Sequence, residues 1–271
     1  MCRSCRTLAI LPALFGVFCC ATFLLTYCVS LHYEKTPYPW FPSVGKTKKA
    51  PERNVFGQLF NLCSFLLLIT MFVRHIQLKH DADWNEESRP LVLRLNRIAL
   101  IFGGLAALGA SLVANFQVGS VIVIHFTGEA MVFFFGLVYC WIQTVICYKM
   151  KVCGVNSSCL FNTRAAFTIA ATVFFIVCLA GAGYAQYIKE NGQHNGNSTV
   201  VVEWKPGVEG FSPHIVGVTA EWLSALCLLF FIVTFYGEFK SIKMKLVVSR
   251  RSASPIPLSV SDESMRTPLL L

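Results

Sequence analysis

The chain has 271 residues, of which 55% are hydrophobic and only 14% charged, with a formal net charge of +9 and a mean hydropathy of +0.59. One or two soluble cores cannot hide that much apolar surface, so the composition excludes an ordinary soluble domain and points to burial in a bilayer. The basic balance does not call for nucleic acid, because the positive charge sits beside apolar runs, where a membrane orients it.

Six uncharged or nearly uncharged stretches approach the roughly 20 apolar residues that a helix needs to cross the hydrocarbon core. They lie at about 8–31, 55–73, 98–114, 118–145, 165–188 and 214–236. Each is continuously apolar rather than alternating, which predicts helices and not barrel strands. The first follows Arg3 and Arg6 in the manner of a secretory signal. It is longer than a signal's apolar core and no clear small-residue cleavage site follows, so it reads as an uncleaved signal anchor.

In the third stretch Gly103, Gly104, Ala106, Ala107, Gly109 and Ala110 recur at three- and four-residue spacing, and Ala180 to Gly183 does the same in the fifth. Within a span this pattern lets helices approach closely, and a glycine-rich cofactor loop is the weaker reading. Asn115 and Gln117 close the third stretch, and His125 and Glu129 stand four apart on one face of the fourth. His214 opens the sixth and Glu221 follows two turns later. Ionisable groups inside a span are costly and mark candidate function. These six residues would form a polar cluster at one end of the bundle. It serves either as a proton-sensitive latch in an acidic lumen or as hydrogen-bonding glue that fixes helix register.

With both termini cytosolic, sixteen of the 23 Lys and Arg residues fall on the cytosolic side and seven on the other, as the retention of positive charge requires. The same topology places the sequon at Asn197 in the lumen, where it can be glycosylated, and the sequon at Asn156 in a short cytosolic loop, where it stays bare. None of the 12 cysteines lies in 32–54, 115–117 or 189–213, so no lumenal disulfide framework is expected. Cys2, Cys5 and Cys147 flank spans and are candidates for palmitoylation. Cys2 and Cys5 could be grouped with Cys153 and Cys159 as a zinc site, but these lie on separate segments, and no metal is expected.

The expected architecture is therefore all-α: a polytopic six-helix transmembrane bundle over 1–239, both termini cytosolic, with a basic, Ser- and Pro-rich disordered tail over 240–271. The basic residues from Lys240 to Arg251 would hold this tail against the anionic cytosolic leaflet, and phosphorylation at Ser252, Ser254 or Ser259 would loosen it. A nucleophile elbow, a phosphate-binding loop and a zinc-protease helix are all missing, so neither an enzyme nor a cofactor is expected.

Ala114-Asn115-Phe116-Gln117, His125 with Gly128, and Tyr139 through Gln143 resemble the damage-regulated autophagy modulator (DRAM) family. Pro51-Glu52 before Phe56-Gly57, Glu203-Trp204-x-Pro206, and Ala220-Glu221-Trp222 followed by Thr234-Phe235 extend the resemblance from the first span to the end of the sixth. Two places depart from the family pattern: the first loop at Pro39 to Gly45, and Glu129, where a small apolar residue is usual. The resemblance implies a six-helix protein of lysosomal and late endosomal membranes that modulates autophagy and, in some members, cell death, working with protein partners still to be identified. The wider superfamily also implies an alternative, a plasma-membrane scaffold for phosphoinositide kinases. An ion or proton pathway is the third reading, and it would need polar residues in the cytosolic half of the spans.

Overall fold

The computed structural model describes residues 8–32, 52–81, 88–116, 121–192 and 207–242. Its elements are α1 (Ile10–His32), α2 (Glu52–Asp81), α3 (Arg89–Asn115), α4 (Ile122–Val152), α5 (Ser158–Gly192), α6 (Phe211–Val233) and the short α7 (Phe235–Phe239), with no strand among the described residues. Six helical segments are long and apolar enough to cross a membrane, α6 and α7 together making the last, Phe211–Phe239. Even the 23 residues of α1 extend about 35 Å at 1.5 Å per residue, enough for a hydrocarbon core about 30 Å thick. The protein is an all-α, multi-pass membrane bundle.

The faces confirm what the chain is folded against. Val17, Leu24, Ile101, Val123 and Ile176 are all at least 60% exposed, a pattern that water would penalise and lipid does not. The helices pack in sequence, α3 on α4 and α5 on α6 most extensively, and α1 closes the bundle by touching α6 and α7. Because α1 meets α7, the first helix begins and the last ends at the same end of the bundle, called here the α7 end.

Lipid tails are as apolar as the helices, so apolar burial alone cannot hold the bundle together; close backbone approach and interhelical hydrogen bonds do. A Cβ placed on Gly109 would lie 2.7 Å from the carbonyl oxygen of Gly128 and 2.9 Å from the Val132 nitrogen, so α3 and α4 meet backbone to backbone there. Gly181 does the same for α5 against α6, where a Cβ would lie 2.8 Å from the nitrogen of Gly217. Ser64 of α2 donates to the Ala107 carbonyl of α3 at 2.7 Å, and Ser224 of α6 donates to Ala171 of α5 at 3.0 Å.

Local chemistry sets the ends. Proline in the first turn of α3 loses no hydrogen bond, since that N–H has no helical partner. Gly154, with φ +78°, reverses the chain after α4, and the Met150 carbonyl accepts from the backbone of Val155 and Asn156.

The helices outrun the apolar runs that predict them. The spans expected at 55–73, 165–188 and 214–236 end short of the charges Arg74, Arg164 and Glu238 that flank them, whereas α2, α5 and the α6–α7 segment continue through these residues. Charged side chains do not end a helix whose backbone is satisfied, provided they find partners. That correction moves three charges from presumed loops into the bundle.

Candidate functional site

At the end opposite α7 the described polar residues Asn115 and His125 each have partners on neighbouring segments. Asn115 pairs with Asn61 of α2 in both directions, at 3.0 Å each, and Ser111 donates to the same Asn61 oxygen. This ties α2 to α3. His125 is fully buried: its Nδ1 lies 2.7 Å from the Phe116 carbonyl and its Nε2 2.9 Å from Glu129 Oε1. A carbonyl only accepts, so Nδ1 carries a proton, and a single further proton is shared between Nε2 and the Glu129 carboxyl. Cys178 of α5 lies within electrostatic reach of both Glu129 and Glu221, which brings the two acids to the same stretch of α5. His214 is half-buried in the first turn of α6. Asn61 is the member of these networks that the sequence reading passed over; its polarity inside an otherwise apolar run was the available signal.

Gln117, Asn197, Cys2, Cys5, Ser252, Ser254 and Ser259 lie outside the described residues, as does the tail beyond Ile242. Cys147 is fully buried and accepts from Asn156 Nδ2 at 3.5 Å, so it is not presented for acylation as the sequence reading supposed. Among the described residues no three His, Cys, Asp or Glu side chains gather as a metal site.

The α7 end holds the denser arrangement. Glu238, on α7, accepts from Arg74 Nη1 of α2 at 2.9 Å and from Arg164 Nη2 of α5. Both arginine side chains are wholly buried, and the glutamate side chain is 13% exposed. Arg74 also donates from Nε to Gln143 of α4 at 3.3 Å and from Nη1 to Gln77 at 2.8 Å. Arg164 donates from Nε to Thr234 at 2.9 Å, and Thr234 in turn donates to the Phe231 carbonyl at 2.6 Å, across the break between α6 and α7. The Phe235 ring centroid lies 5.0 Å from Arg74 Cζ and 4.7 Å from Arg164 Cζ, so the ring attracts both guanidiniums.

Three spans thus meet on one carboxylate, and α4 joins them through the Gln143 bond to Arg74. Two guanidiniums against one carboxylate leave the cluster with one formal positive charge. Tyr139 of α4 lies beside it, edge-on to Phe235 with ring centroids 6.4 Å apart. Between α1, α2, α3, α4 and α6 lies an apolar cavity of about 100 Å³, with Tyr139 in its wall.

Comparison with known proteins places these features in a lineage. Residues 7–242 match the family described as the Frag1/DRAM/Sfk1/Cwh43P N-terminal domain. The chain is 28% identical to DNA damage-regulated autophagy modulator protein 2 of Rattus norvegicus, covering 97% of this chain and 96% of the relative. It is 29% identical to DNA damage-regulated autophagy modulator protein 1 of Homo sapiens, covering 89% and 94%. Similarity to the modulator of macroautophagy TMEM150B of Danio rerio, at 28% identity, covers 52% of this chain and 58% of that one. No solved structure matches.

Proposed function

From the premise that this chain belongs to the Frag1/DRAM/Sfk1/Cwh43 family, we propose that it modulates autophagy from the lysosomal and late endosomal membrane, without catalysing a reaction itself. The observation that carries this reading is the near full-length similarity to two relatives both named autophagy modulators. Glu238 is committed to two arginines and Glu129 to His125, so the best-placed acids are held by partners inside the bundle.

In this reading the Arg74–Glu238–Arg164 cluster is a strut that fixes α2, α5 and α7, and with them the surface that the α7 end presents to protein partners. The basic residues after Lys240 would add attraction to an anionic leaflet, about 1 kcal/mol each near the surface. Cell death is a further outcome that the same role would reach.

The test is location and flux together. The protein tagged at its native level should overlap lysosomal markers, and its loss should lower autophagosome turnover, measured as accumulation of the lipidated autophagosome marker with and without lysosomal inhibition. Residence at the cell surface alone, with unchanged turnover, would overturn the proposal.

A further inference from the structure

We propose that Cys19 of α1 and Cys63 of α2 form a redox pair that reduces a hydroperoxide carried on a lipid acyl chain and is itself oxidised to a disulfide across the two helices. The site is where this pair of thiols meets the wall of the central cavity.

Both cysteines are free and buried, and both line the cavity. Their thiols lie within hydrogen-bonding reach of each other across the contact of α1 with α2. Thr22, one turn after Cys19 on the same face of α1, orients them. Its hydroxyl donates to the Phe18 carbonyl at 2.7 Å, so toward Cys63 Sγ, 3.7 Å away, it accepts, and the Cys63 S–H points at it. The lone pairs of the Cys63 sulfur are thereby left to Cys19.

Position selects the oxidant. Cys19 stands nine residues into α1, about 14 Å at 1.5 Å per residue, which is near the middle of a hydrocarbon core about 30 Å thick. The cavity wall is apolar, built from Phe15, Phe23, Phe60, Leu67 and Leu229 among others, and such a space stays dry. It is partly open, and it lies among spans, so an acyl chain is the molecule at hand. A volume of about 100 Å³ takes several methylenes with a peroxide group among them.

Cys19 keeps 4% of its surface accessible against 1% for Cys63, and so meets the peroxide first. Its sulfur attacks the terminal oxygen of the hydroperoxide: an S–O bond forms, the O–O bond breaks, and the departing alkoxide takes the thiol proton and leaves as the lipid alcohol. Cys19 is now a sulfenic acid. The Cys63 sulfur attacks the Cys19 sulfur, an S–S bond forms, and the hydroxyl leaves with the Cys63 proton as water. The two thiols supply the two electrons that the peroxide takes up, so the step needs no further reductant. Its product ties α1, the helix that closes the bundle against α6 and α7, to α2. Water-soluble thiols do not enter the dry cavity, so the bond would persist as a record of peroxidation in the surrounding membrane.

The experiment uses the full-length protein, reduced and held in nanodiscs of saturated phosphatidylcholine, and exposed to linoleate hydroperoxide. Peptide mapping without reduction should show Cys19 joined to Cys63, with one lipid alcohol formed per disulfide, and hydrogen peroxide at the same concentration should act more slowly. Cys63→Ser should lose the disulfide and leave a sulfenic acid on Cys19, trapped by a dimedone probe. Cys140→Ser, in the same cavity wall on α4, should change neither product. Thiols that stay reduced, a disulfide through Cys140, a disulfide without lipid alcohol, or equal oxidation by hydrogen peroxide would each overturn the proposal. The chemistry is read on the isolated protein, so the result is independent of any role in autophagy.

Discussion

Replacing Glu238 by Gln leaves the guanidiniums of Arg74 and Arg164 facing an amide, with two buried positive charges and no counter-charge between them. Removing one partner of a buried ion pair costs about 3–5 kcal/mol, and the 13% exposure of the carboxylate side chain puts this case near the lower figure. Glu238→Gln should therefore lower the midpoint of thermal unfolding in detergent sharply, or leave little monodisperse protein. Thr234→Val removes the neutral acceptor for Arg164 Nε and the hydroxyl donated to the Phe231 carbonyl, but no charge, and by the same measurement should cost less, about 1–3 kcal/mol. Equal losses in the two variants would mean that the carboxylate acts as an ordinary hydrogen-bond acceptor and not as a counter-charge. The three charges of this cluster were not seen as a cluster when the spans were drawn, because the apolar runs were ended at the flanking charges and Arg74 and Arg164 were counted as loop residues that orient the protein; Gln143, Thr234 and Phe235 entered only through the family resemblance. One signal was present: Glu238 is an acid in a flank otherwise rich in lysine, at Lys240, Lys243 and Lys245, where retained positive charge is the rule. His125 and Glu129, by contrast, were legible from spacing alone, since four residues make one helical turn and the pair does meet at 2.9 Å.

At the scale of helices, the small-residue pattern of α3 makes two opposite forecasts. Gly109 lies against the backbone of α4, where carbonyl and amide atoms cannot move aside, so Gly109→Ala should destabilise the protein by about 1–3 kcal/mol through overpacking. Gly104 has nothing within 4 Å of an added Cβ. Gly104→Ala should be neutral or gain about 0.5–1 kcal/mol, because alanine loses less conformational freedom in a helix. Thermal unfolding of the two variants side by side checks the pair; if both were neutral, α3 and α4 would not be in the register described. The stripe itself was readable from sequence, since in a span small residues have few other uses. Which glycine faces a neighbour was not, because that depends on the rotation of α3 about its axis, and tertiary packing sets that angle. The pairing of Asn115 has the same origin: α3 turns it toward Asn61 of α2.

For the molecule as a whole, six spans were legible because each apolar run is long enough to cross alone, and the contact of α1 with α7 fixes that the first helix begins where the last one ends. Which side of the membrane that end faces is a separate matter, governed by charge. The α7 end carries Lys79, Lys149, Lys151 and Lys240, and the short α4–α5 connection with Asn156 lies there too. If retained positive charge places this end in the cytosol, then Asn156 is out of reach of glycosylation, and it is also held against Cys147. Asn197, beyond α5 and outside the described residues, then faces the lumen. N-glycosidase treatment should increase mobility for the native chain and for Asn156→Gln and should have no effect on Asn197→Gln, while epitope tags at both ends should be digested by protease in sealed vesicles. A glycan at Asn156 would invert the bundle. The inversion would have a consequence for chemistry as well, because it would turn the shared proton of His125 and Glu129 away from any acidic lumen and toward neutral cytosol. The pair would then have no pH change to sense, and its remaining role would be to hold α4 against the Phe116 carbonyl at the end of α3.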